Sequence, residues 1–103
     1  MTKQAVIDIK DMRENASQAA DLLKAMSNEN RLLILCHLGE KERSVSELNN
    51  FIDLSQSSLS QHLARLRQDG LVKTRRESQT IFYTIANPSV VKLIGFLHNE
   101  FCA

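Results

Sequence analysis

Between residues 45 and 85 the chain runs through a helical period, a break, a second helical period and then a strand period, an order that few folds accommodate. Val45, Leu48, Phe51 and Ile52 recur at helical spacing, the pattern breaks at Asp53 and Leu54, and Leu59, Leu63 and Leu66 form the i, i+4, i+7 stripe of a second helix. Leu71 to Glu77 and Thr80 to Ile85 are rich in β-branched and aromatic residues, with Ile81, Tyr83 and Ile85 alternating against Thr80, Phe82 and Thr84. Two helices followed by a hairpin predict a winged helix-turn-helix. The stripe of the second helix faces the core, which leaves Ser57, Ser58, Gln61, His62 and Arg65 on the opposite face. Hydroxyl and amide side chains there can exchange hydrogen bonds with base edges and phosphates in a major groove, whereas an ordinary solvated face would carry more Glu and Lys.

These five residues are therefore the expected DNA-contacting set, with Gln61 suited to adenine and Arg65 to a phosphate or guanine. Arg75, Arg76 and Gln79 fall on the hairpin, where a wing contacts phosphates or the minor groove. The formal net charge of +1 is low for a nucleic-acid binder, but it is unevenly spread. Residues 61 to 76 carry Arg65, Arg67, Lys73, Arg75 and Arg76 against Asp69 alone. Such a stripe is compatible with sequence-specific binding that does not lean on a large non-specific electrostatic component.

The remaining elements are read from caps and breakers. Residues 1 to 14 show no sustained period and are expected to form a frayed N-terminal arm, and residues 15 to 103 the folded domain. From about Asn15 to Met26, the residues Ala16, Ala19, Ala20, Leu22, Leu23 and Met26 predict an amphipathic helix with small residues on part of its apolar face. Ser27 or Asn28 caps a second helix that Gly39 ends, and residues 40 to 43 form a charged loop. Ser44 or Ser46 opens the third helix; Ser55 caps the fourth, which stops at Gly70 with Leu71 folding back. Ser78 and Gln79 join the strands without the Gly or Asn of a tight primed turn, so a hairpin tip wider than two residues is expected. Pro88 starts a final helix running to about Phe101.

In that helix Val90, Val91, Leu93, Ile94, Phe96, Leu97 and Phe101 place apolar side chains around most of the circumference. A chain of 103 residues buries only a modest share of its surface alone, so a homodimer built from the first and last helices is expected. With 43% hydrophobic and 24% charged residues the chain reads as one globular domain. Its longest apolar run, Leu32 to Cys36, is far below the roughly 18 residues of a membrane-spanning helix, and the N-terminus lacks a secretory layout. A cytoplasmic protein with Cys36 and Cys102 reduced at rest is expected.

The segments Leu22-Leu23-Lys24-Ala25-Met26-Ser27, Asn30-Arg31-Leu32-Leu33-Ile34-Leu35 and Leu54-Ser55-Gln56-Ser57-Ser58-Leu59-Ser60-Gln61-His62-Leu63, followed by Gly70-Leu71-Val72 and Phe82-Tyr83, resemble the ArsR/SmtB family of dimeric winged-helix repressors. The resemblance covers about residues 15 to 102, and its Ser-Gln-His-Leu segment corresponds to the family's recognition-helix signature. It implies a homodimer on a double-stranded DNA operator, no enzymatic activity and no cofactor.

Cys36 in the second helix and Cys102 at the end of the last resemble the cysteine pair of the thiol-sensing, HlyU/BigR/SqrR-like branch, which implies reactive sulfur or an oxidant as inducer. The metal-sensing branches carry a cysteine box in the third helix, where this chain has Ser44-Val45-Ser46-Glu47-Leu48, or ligands along the last helix, where it has only His98 and Glu100. A metal-responsive repressor of the same fold is the alternative, and no metal ligands are assigned. His37 points about 100° away from Cys36 around a helix and reads as structural or solvent-facing, while His98 lies one turn before Cys102. A Cys-His thiol enzyme would need a third orienting group and an oxyanion element, and neither is evident.

Overall fold

The computed structural model describes residues 7–102. Among them the chain forms α1 (Ile9–Met26), α2 (Glu29–Leu38), β1 (Arg43–Ser44), α3 (Val45–Phe51), α4 (Gln56–Gln68), β2 (Val72–Glu77), β3 (Thr80–Ile85) and α5 (Pro88–Phe101). The strands make an antiparallel sheet in the order β1-β3-β2.

Each helix starts at a residue that satisfies its orphan amides. Asn28 accepts from the amides of Asn30 and Arg31, Ser55 from that of Ser58, and Asn87 from that of Ser89 ahead of a helix with Pro88 in its first turn. Ser44 forms a full capping box, its Oγ accepting from the Glu47 amide while the Glu47 carboxylate accepts from the Ser44 amide. Stops are equally local. Gly39 ends α2 with φ 51°, and Gly70 follows α4 with φ 79°. There the Gly70 amide donates to Arg67 and the Leu71 amide to Leu66, the paired closure that turns the chain back onto the helix it has just left.

Three features differ from the periodicity. The first helix starts at Ile9 under an Asp8 cap, six residues before the expected Asn15, and residues 1–6 of the expected arm lie outside the described residues. The charged loop ends in a two-residue strand, Arg43 and Ser44, paired with Tyr83 and Phe82. The hairpin tip is not wider than two residues: Glu77 pairs with Thr80, and Ser78 supplies the positive φ of 56° that a glycine would normally provide.

The core is built where the stripes converge. Ile34, Leu35 and Leu38 of α2, Leu48 of α3, and Leu59, Leu63 and Leu66 of α4 are fully buried together with Val90 of α5, and Leu71 and Val72 close the floor. Tyr83 and Ile85 pack against this core from the sheet, on the face the alternation predicts. α1 joins only through its last turns: Ala25 and Met26 are buried and Leu22 half-buried, whereas residues 9–21 are exposed. No helix of the described residues is long and apolar enough to cross a membrane.

Candidate functional site

The α3–α4 corner is locked by a side chain of α3. Asn49 of α3 donates from Nδ2 to the Leu54 carbonyl at 2.8 Å, tying the connecting turn to the helix it leaves. With Leu59, Leu63 and Leu66 anchored in the core, α4 turns Ser57, Gln61 and Arg65 outward and leaves Ser58 and His62 half-buried at the margin of the same face. The sequence-predicted set is therefore one continuous surface. Arg65 is partly restrained, since its Nε donates to Asp69 Oδ2 at 3.0 Å one turn on.

The wing residues are not brought together. In the β2–β3 register Arg75 stands opposite Phe82 and Arg76 opposite Ile81, so the two guanidinium groups leave opposite faces of the hairpin. Arg75 is occupied: its Nε and Nη2 donate to the two carboxylate oxygens of Glu42 at 2.9 and 2.7 Å, and Nη1 donates to Glu77 at 2.8 Å. Its guanidinium carbon also lies 4.8 Å from the centre of the Phe82 ring. The hydrogen bonds from Arg75 hold the Glu42 carboxyl below its usual range, and the two carboxylates push the Arg75 pKa up. Among the described residues Arg76 makes no ion pair. Gln79, at the hairpin tip, lines a cleft of about 260 Å³ with Ser46, Gln56 and Thr80, so the tip stands beside the start of α4. Glu42 and Asn49 had no signal in the sequence, because what each does depends on a partner the turn or the sheet delivers.

A second site lies between α2 and α5. Cys36 and Cys102 are both free thiols, and they line one pocket of about 220 Å³ together with Leu32, Ile94, Leu97, His98 and Phe101. Its walls are almost wholly apolar. Cys102 caps the C-terminus of α5, its amide donating to the His98 carbonyl at 2.8 Å. Cys36 is exposed as a residue, yet the pocket walls shield its thiol: loss of water pushes its pKa up, and the neighbouring charge of an ionised Cys102 pushes it further. Among the described residues no three His, Cys, Asp or Glu side chains are grouped as a bound metal ion would require.

A tri-helical core whose last helix before a hairpin turns a polar face outward, with that hairpin standing beside the start of the helix, defines a winged helix-turn-helix domain. Residues 28–74 match the family model for bacterial regulatory proteins of the arsR family. The transcriptional activator HlyU of Vibrio cholerae serotype O1 is 52% identical over 100 residues, spanning 97% of this chain and 93% of its own. The solved structure of reduced HlyU from Vibrio cholerae superposes with a TM-score of 0.86 at 53% identity, covering 91% of this chain and 99% of that one. That of the transcriptional repressor BigR from Xylella fastidiosa gives 0.88 at 40% identity, covering 94% and 99%. The chain belongs to the ArsR family, in its HlyU/BigR branch, and is a DNA-binding transcription regulator and not an enzyme.

Proposed function

We propose that this regulator acts in the cytoplasm as a homodimer on a double-stranded DNA operator, and that the redox or persulfide state of Cys36 and Cys102 sets its affinity. The observation that carries the reading is that these two thiols, 66 positions apart, line the same small apolar pocket between α2 and α5. In that pocket one sulfur can be oxidised or persulfidated and the other can attack it. A direct disulfide removes one hydrogen from each thiol, the two protons and two electrons passing to the oxidant; a polysulfide inducer instead leaves one or more sulfane sulfurs between the two cysteines, again with loss of both thiol hydrogens, its own cleaved S–S bond taking the two electrons and departing as hydrosulfide. Either bridge ties α2 to the end of α5.

DNA contact is assigned to Ser57, Ser58, Gln61, His62 and Arg65 on α4 and to Arg76 and Gln79 on the wing. Arg75 joins them where a phosphate can replace Glu42 and Glu77 as its partner. Dimerisation is supported by the exposed face of α1 and by the outward Phe96 and Phe101 of α5, which are 59% and 81% exposed. Intact-mass spectrometry after treatment with polysulfide, peroxide and an organic disulfide tests the switch. A loss of two hydrogens within one chain, alone or together with a gain of whole sulfurs, is expected; whole sulfurs gained without that loss are persulfide adducts on separate cysteines and contradict the bridge.

A further inference from the structure

We infer that His37, Arg43 and Phe51 form the coupling element through which the state of Cys36 reaches both DNA-facing parts of the molecule. The inference rests on the thiol-switch reading above. His37 follows Cys36 in α2, so the two side chains diverge by about 100° around the helix axis. Cys36 is turned to the pocket against α5, and His37 to α3. There the His37 ring stacks on Phe51, with centroids 4.9 Å apart and planes 13° apart. The Arg43 guanidinium carbon lies 4.7 Å from the centre of the same Phe51 ring. Arg43 also donates from Nε to the His37 carbonyl at 2.7 Å, occupying one of the last-turn acceptors of α2 that have no intrahelical donor.

Three side chains thus join α2, β1 and α3 at one point. Arg43 is also a residue of β1, paired with Tyr83 of β3, and the next residue, Ser44, caps α3. A displacement of α2 toward α5 on bridging is therefore passed to the helix-turn-helix through the stacked rings and to the wing through β1. Phe51 is 52% exposed, so core burial does not account for where it sits; its two ordered partners do. None of the three residues lines the thiol pocket, and none lies on α4. They are positioning residues. Disturbing them should leave both the chemistry at sulfur and the contacts to DNA in place while separating one from the other, and this separation is what energetic coupling requires as evidence.

The test uses Phe51→Leu, which keeps apolar bulk but removes the ring, and Arg43→Lys, which keeps the charge but removes the planar group and its Nε donor. His37 is left unaltered so that Cys36 keeps its neighbour. For the wild type, each variant and the double variant, operator Kd is measured for the reduced protein and for protein shown by intact mass to be fully bridged. Bridging should proceed as in the wild type, and reduced-state Kd should stay near the wild-type value. The ratio of bridged to reduced Kd should fall about tenfold in each single variant, within the roughly 5- to 150-fold span of ordinary allosteric coupling. The double variant should lose little more than either single one, because both act on one element. A wild-type ratio in folded Arg43→Lys overturns the inference, and that variant decides the matter if Phe51→Leu unfolds. A wild type that keeps its DNA when fully bridged overturns the thiol-switch reading and this inference with it, whereas wild-type release with unaltered release in the variants removes the coupling element alone.

Discussion

Cys36 and Cys102 show how a residue's chemistry depends on what the fold brings beside it. Burial and the charge of an ionised Cys102 both favour the protonated form of Cys36. Replacing Cys102 by Ser removes the second cause and should move the pH profile of Cys36 alkylation by iodoacetamide downward; an unmoved profile would leave burial as the only cause. The sign for stability follows from the same shift. A thiol whose folded pKa is raised contributes fully below the ordinary thiol pKa, and that contribution fades as pH rises through the higher folded value. The two wing arginines divide by the same kind of reasoning, since Arg75 is already satisfied by Glu42 and Glu77. Arg76→Ala should reduce the slope of log affinity against log salt by about 0.9, the loss of one phosphate contact, and Arg75→Ala should reduce it less. Equal losses in titrations at several salt concentrations would mean that DNA draws Arg75 away from its carboxylates.

At the level of elements, the corner between α3 and α4 depends on the Asn49 side chain. Asn49→Ala leaves the Leu54 carbonyl without its donor, which should cost about 1–3 kcal/mol in denaturant unfolding, and it should weaken operator binding because that turn sets the angle of α4. Unchanged unfolding would mean that water replaces the amide. Much of this architecture was legible in the sequence because it is local: Ser55 as a cap, Gly39 and Gly70 as stops, and Thr80 to Ile85 as a strand are all decided within a few residues. The outward face of α4 followed from the stripe of Leu59, Leu63 and Leu66 opposite it. What escaped depends on distance along the chain. The Glu42–Arg75 pair spans 33 residues, and β1 exists only because β3 offers it an edge. The first turns of α1 begin under the Asp8 cap with exposed side chains and no sustained apolar stripe, so their helix was not legible from periodicity. The tight hairpin tip was hidden because Ser78 takes a backbone conformation usually left to glycine.

The whole molecule is elongated, 47 × 31 × 23 Å, and its two least buried helices supply most of its exposed large apolar residues. Ile9, Met12 and Leu23 on α1 and Phe96 and Phe101 on α5 are the surfaces assigned to the partner subunit in the proposed dimer. Phe96→Glu should place a charge in that interface without entering the monomer core, giving a folded monomer in sedimentation and a loss of tight operator binding, since half-site contacts are too few alone. A folded dimer in this variant would put the interface elsewhere. The proposed switch belongs to the same scale, because a bridge from α2 to the end of α5 would alter the spacing of two recognition helices only within an assembled dimer. Operator Kd measured on one preparation before and after bridging, with the Cys36→Ser and Cys102→Ser variants treated in parallel, decides whether the two thiols control DNA affinity. The bridged wild type should bind more weakly and recover on reduction, and the treated variants should bind like the reduced wild type; variants that still release DNA on treatment would overturn the dithiol switch.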